Sequence, residues 1–164
     1  MVALDIILLI ILTLSVFEGF KKGVVAQLGG LVGIVIGIWL AFRYSDTVGG
    51  WLRIDPEIAG YVAFVLIILV AILVIGVIGW GMGKVVNLVG LGVLNRLGGV
   101  LLSLVKSVLI LGILLMAFTA INRYTHIVNA SQFSRSFLYT PIVRITDYVI
   151  PYIGQAIDSL DNNG

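Results

Sequence analysis

Residues 58–83 read IAGYVAFVLIILVAILVIGVIGWGMG, 26 consecutive residues without a charge, bounded by Glu57 and Lys84. A helix that crosses a bilayer needs about 20 mainly apolar residues, because each one advances about 1.5 Å across a hydrocarbon core of about 30 Å. Fifteen of the 26 are Leu, Ile, Val or Phe. At roughly −0.4 kcal/mol each, they favour insertion by about 6 kcal/mol before the glycines count against it. This stretch alone marks the chain as one that enters a bilayer.

Upstream, residues 23–42 form a second charge-free run between Lys22 and Arg43. Downstream, residues 97–122 are interrupted only by Lys106. One central lysine costs about 2.5–3.5 kcal/mol on the insertion scale, which the apolar residues around it offset. The N-terminal run, Val2 to Phe17, is strongly apolar but carries Asp5. No basic side chain precedes it, as a signal peptide would require, so it reads as a retained helix over about 2–20. The expectation is an all-α, polytopic integral membrane protein. It has four transmembrane helices (about 2–20, 23–42, 58–83 and 97–122), short loops and a tail over 123–164. In the tail, Pro141 suits a first helical turn, and Ile142, Ile145, Val149 and Tyr152 recur near helical spacing. That amphipathic helix either lies on the membrane surface or packs on the four-helix body.

Composition agrees. Of 164 residues, 60% are hydrophobic and 11% charged, against about 45–50% and 25% in ordinary soluble domains. Mean hydropathy is +1.19. This composition rules out disorder and argues strongly against a soluble monomer. The net charge of +2 is scattered, so no nucleic-acid partner is expected, and without cysteine there is no thiolate metal site or nucleophile.

Orientation rests on the cations that abut the spans. Lys21, Lys22, Lys84 and Arg96 flank loops one and three, against Arg43 and Arg123 on the other side. The positive-inside rule then puts loops one and three inside and both termini outside.

Twenty glycines stand out, many spaced by four. Gly29, Gly33 and Gly37 mark the second span and Gly79 and Gly83 the third, while Gly99, Ser103 and Ser107 form a small-residue stripe on the fourth. Helices in lipid associate through close packing, which small residues permit. These positions are therefore expected to pack helices, within one bundle or between copies. Asp5 and Lys106 are the ionisable groups closest to hydrocarbon, and each must pair, snorkel or meet water. With Arg96 they form the candidate intramembrane polar site. Trp39, Trp51 and Trp80 fall toward span ends, as an aromatic belt does. Enzyme motifs are missing. His126 is the sole histidine, there is no HExxH, GxSxG or P-loop, and the Gly-rich stretch 90–99 lacks the GK[ST] ending. Neither catalysis nor a cofactor is expected.

Several short stretches together resemble a known family. They are Asp5 in an apolar first helix and the hinge Gly19-Phe20-Lys21-Lys22-Gly23. Leu94-Asn95-Arg96-Leu97-Gly98-Gly99-Val100 runs into Leu104-Val105-Lys106-Ser107, and the tail has Ser136-Phe137-Leu138-Tyr139-Thr140-Pro141-Ile142 with Asp147-Tyr148. In order and spacing, these resemble the colicin V production protein (CvpA) family of bacterial inner-membrane proteins. One departure is Asn95, which stands where an acidic residue before the arginine is common, so a local ion pair there would lack its acid. The resemblance implies a non-enzymatic protein of about four membrane helices, associated with colicin V or toxin production and export and with envelope homeostasis. It singles out Asp5, Gly19, Phe20, Arg96, Gly99 and Lys106. The bilayer is the implied environment, with a homo-oligomer or other membrane proteins as partners. The competing reading is a transporter or channel subunit with a polar path between Gly-rich helices. A holin-like pore former is a third, opposed by the ordered-looking tail.

Overall fold

In a computed structural model, the described residues are 3–86, 92–125 and 136–161. They form four helices and no strand: α1 (Ala3–Trp51), α2 (Pro56–Val86), α3 (Gly92–Thr125) and α4 (Tyr139–Asp161). Three of them, α1 to α3, are long and apolar enough to cross a membrane.

α1 carries the first two of the four expected spans. Its 49 residues would measure about 73 Å if straight, more than twice a hydrocarbon core. It is not straight, because Gly23 breaks it with φ 75° and ψ −179°. This conformation is essentially reserved for glycine. Residues 3–22 form one limb and 24–51 the other. Glu18 to Lys22, expected as a loop, are helical, and a single residue makes the turn.

Contacts with α3 give the sense of each limb. On the first limb, Gly19 lies against Gly99 and Ser103, and Leu8 clusters with Leu111. On the second, Gly23 lies against Asn95, Gly30 against Lys106, and Ile38 packs with Leu109 and Ile113. The first limb therefore runs antiparallel to α3 and the second parallel to it, so the limbs form a hairpin. α2 runs antiparallel to the second limb, with Gly29 against Gly79, Gly33 against Ile72, Gly37 against Ile68 and Gly49 against Ala59.

The helices overrun the hydropathy boundaries. The second limb ends at Trp51 rather than 42, and α3 begins at Gly92 rather than 97. Residues 43–51 are polar enough to leave hydrocarbon, but they contain no proline to stop helical hydrogen bonding. α2 opens with Asp55 as its cap, the carboxylate accepting the Glu57 N–H at 3.1 Å, and with Pro56 in the first turn.

α4 packs on α3. Thr146 is fully buried against Gly112, and Ile142 is also buried, while Ile145 and Tyr152 are 49% and 57% exposed. The expected stripe of Ile142, Ile145, Val149 and Tyr152 is thus rotated. The protein-facing side is Ile142, Thr146, Val149, Ile150 and Ile153, because Gly112 lets only a small side chain approach closely. Phe137, Ile145, Tyr148 and Tyr152 face outward.

Candidate functional site

Polar side chains gather at three places. The first is the hinge. Breaking the helix at Gly23 frees the Val24 N–H, and Asn95 Oδ1 accepts it at 2.8 Å. The same Asn95 side chain occupies the space a Cβ on residue 23 would need. Arg96, next along, sits 5.2 Å from the Phe20 ring centroid, a cation–π contact. Of the hinge candidates, Gly23 holds the break, and Gly19 and Phe20 lie in helical backbone just before it.

The second is an ion cluster just below the hinge. Lys22 Nζ lies 2.8 Å and Lys106 Nζ 3.2 Å from the same oxygen, Glu18 Oε1. Lys106 is the more enclosed, its side chain 12% exposed, and its methylenes run over Gly30. No Cβ fits at Gly30 without displacing them. Lys106 thus snorkels toward the hinge end, with its stem in apolar surroundings and its ammonium paired. The cluster opens into a cleft of about 460 Å³, walled by Ile72, Leu73, Gly76, Val77 and Trp80 of α2.

The third lies where the first limb begins. Asp5 is 1% exposed. Its Oδ1 accepts the Ser136 hydroxyl at 2.6 Å and the Leu138 N–H at 3.2 Å. Ser136 Oγ in turn accepts the Tyr139 N–H at 3.1 Å. Ser136 is therefore the N-cap of α4, and the Asp5 carboxylate supports that helix end from another element, with the favourable sign for the helix dipole. Tyr139 OH and Thr119 Oγ1, 2.9 Å apart, add a bond to α3.

Asp5, Arg96 and Lys106 do not share one site. Asp5 serves α4, Arg96 stacks on Phe20, and Lys106 pairs with Glu18. Asp5 and Glu18 are 13 residues apart on one limb, about 20 Å along its axis. Among the small residues, Ser103 is fully buried and donates to the Ser15 carbonyl at 2.6 Å. Gly29 and Gly79 touch each other, and Ser107 is buried. The surroundings of Gly83, together with Gly90, His126 and Arg135, lie outside the described residues.

Two participants fall outside the expected set although the sequence marks them. Glu18 stands four residues before Lys22, the spacing of a helical ion pair. Gln27 is the one long polar side chain in its charge-free run. It is fully buried, and among the described residues neither its Oε1 nor its Nε2 has a partner. A second cleft, about 570 Å³, lies toward the other end of the bundle. It is lined by Phe42, Phe64, Ile113, Met116 and Ile150, with Asp46 and Glu57 also on its wall.

The family model for colicin V production protein matches residues 4–147. The chain belongs to this family. The match takes in the hinge, the ion cluster and the Asp5–Ser136 contact, and ends within α4. No curated protein and no solved structure matches the chain. The family's association with membranes agrees with the three long apolar helices.

Proposed function

We propose that this colicin V production family protein is a four-pass protein of the bacterial inner membrane with both termini outside. It acts there without catalysis in toxin production or export and in envelope homeostasis, through self-assembly or a membrane partner. Four crossings are supported by the hairpin at Gly23, whose limbs run in opposite senses along α3.

One observation favours an accessory role over a channel subunit. Beyond Lys106, the bundle interior is filled by Ile34, Ile38, Ile68, Leu109 and Ile113, each 8% exposed or less. Such a core offers an ion no replacement for its hydration shell, so the polar groups near the hinge do not continue as a path through one molecule.

The test is complementation. In a strain lacking the gene, colicin V release and resistance to envelope-disrupting detergents are both measured, with and without the wild-type chain. The expected result is a defect restored by the wild type and by Lys106→Gln expressed to the same level. Normal release and resistance in the deletion strain would refute the role. Solute flux through purified protein in vesicles, lost with Lys106→Gln, would favour the channel reading instead.

A further inference from the structure

We infer that the cleft between the hinge and α2 binds the phosphate of an acidic phospholipid. Two ammonium groups, Lys22 and Lys106, face one carboxylate, Glu18, and among the described residues no other titratable side chain lines the cleft. The lining therefore carries one net positive charge. Each ammonium has three donors, and the structure engages one from each, both on Glu18 Oε1. The donors left over match a phosphodiester, which carries one negative charge and several acceptor oxygens.

The other walls identify the rest of the ligand. Ile72, Leu73, Gly76 and Val77 offer only apolar surface, and Leu73 and Val77 are 67% and 65% exposed. A Cβ built on Gly76 meets nothing within 4 Å, so the groove is open there. An acyl chain laid along α2 would cover this strip while its headgroup reaches the lysines. Depth agrees: Lys22 adjoins the hinge, Glu18 is five residues from it, and Trp80 is six residues from the end of α2, each within about 10 Å of that end of the bundle. Headgroups lie at this level, and basic pockets between membrane helices favour acidic ones. A free anion would satisfy the lysines but would leave the apolar strip unused, which is why a lipid is the occupant. The inference rests on the proposed four-pass topology but not on the proposed role in toxin production or envelope homeostasis.

The test uses the full chain in nanodiscs of equimolar phosphatidylglycerol and phosphatidylethanolamine, with retained lipids counted by native mass spectrometry. Wild type is expected to retain phosphatidylglycerol over phosphatidylethanolamine at about five to one, the factor that about 1 kcal/mol for one net positive charge at the interface supplies. Lys22→Gln changes a half-exposed side chain and should fold, and it should bring the ratio to about one. Gly76→Leu leaves both lysines in place and fills the groove, and it should lower phosphatidylglycerol retention as well. Equal retention of the two lipids by wild type would overturn the inference, as would unchanged selectivity in both variants. Stabilisation by inorganic phosphate alone, equal to that by phosphatidylglycerol, would assign the site to a free anion and overturn the lipid.

Discussion

Replacing Gly23 by alanine separates a broken helix from a continuous one by the sign of the effect. In a continuous helix, Gly→Ala in the interior stabilises by about 0.8–1 kcal/mol. At φ 75° and ψ −179°, alanine instead carries backbone strain of about 1–3 kcal/mol. Its Cβ also displaces the Asn95 side chain, which removes the acceptor from the Val24 N–H. An amide left unpaired in a part-buried setting costs about 1–3 kcal/mol more. Gly23→Ala should therefore destabilise by about 2–6 kcal/mol. Asn95→Ala should lose the second part, about 1–3 kcal/mol. The two share one hydrogen bond, so the double variant should be no less stable than Gly23→Ala alone, a coupling of about 1–3 kcal/mol in a double-mutant cycle. Asn95→Asp keeps the acceptor and places a negative charge at the start of the second limb, so its stability should stay within about 0.5 kcal/mol of wild type or rise. The assay is reversible unfolding in mixed detergent micelles. A more stable Gly23→Ala, or additive losses from Gly23→Ala and Asn95→Ala, would refute the hinge.

Three further outcomes follow from named contacts. Gln27 is buried with both polar atoms unpaired among the described residues, so Gln27→Met, similar in volume, should stabilise by about 1–3 kcal/mol in the same assay. A loss would mean that the amide has a partner in the native protein. Gly29→Ala sets a Cβ 2.8 Å from Gly79 Cα and should cost about 1–3 kcal/mol through overpacking. Gly60→Ala, where nothing lies within 4 Å, should be neutral or gain up to about 1 kcal/mol. Equal effects at the two glycines would show that close helix approach is not what Gly29 provides. Asp5→Leu strands the Ser136 hydroxyl and Leu138 N–H and should cost about 1.5–3 kcal/mol, with Asp5→Asn milder because one acceptor survives. Amide exchange in α4 should speed up in proportion, and unchanged exchange would detach Asp5 from any role at that helix end.

The positions of the apolar helices were legible because a charge-free run of membrane length is rare outside a bilayer-spanning helix. Their ends were not, since hydropathy marks where lipid stops, whereas a helix stops where its hydrogen bonding does. The second limb therefore continues to Trp51 through Arg43, Ser45 and Asp46. The partners of the charges were hidden by distance along the chain. Glu18 and Lys106 are 88 residues apart, and Asp5 and Ser136 are 131 apart. Only the fold brings either pair together. The rotation of α4 has another cause. Its apolar spacing points to Ile145 and Tyr152, but a helix beside lipid can turn apolar side chains outward without penalty, and Thr146 fits the notch at Gly112.

The first limb carries that inversion furthest. Its buried residues before the hinge are Asp5, Leu8, Ser15 and Gly19, while Ile6, Ile7, Ile10, Leu14 and Phe17 are exposed. In water such a helix would be inside out. In a bilayer, apolar burial against protein gains little over contact with lipid, so what holds two helices together is close packing and hydrogen bonding. Each buried position on this limb except Leu8 supplies one of those. Gly19 lets its backbone approach Gly99, Ser15 accepts from Ser103, and Asp5 accepts from Ser136. Glu18, half exposed beside them, reaches Lys106. The second limb is joined to α2 differently, through Gly29, Gly33 and Gly37, which have no side chain with which to hydrogen-bond. The attachment of the first limb is thus mainly polar and that of the second mainly steric. The ion cluster among these polar contacts opens onto the cleft that faces α2. A phosphate bound by Lys22 and Lys106 would therefore sit beside the Glu18–Lys106 ion pair that ties the first limb to α3, so the attachment of that limb would respond to the lipid bound there.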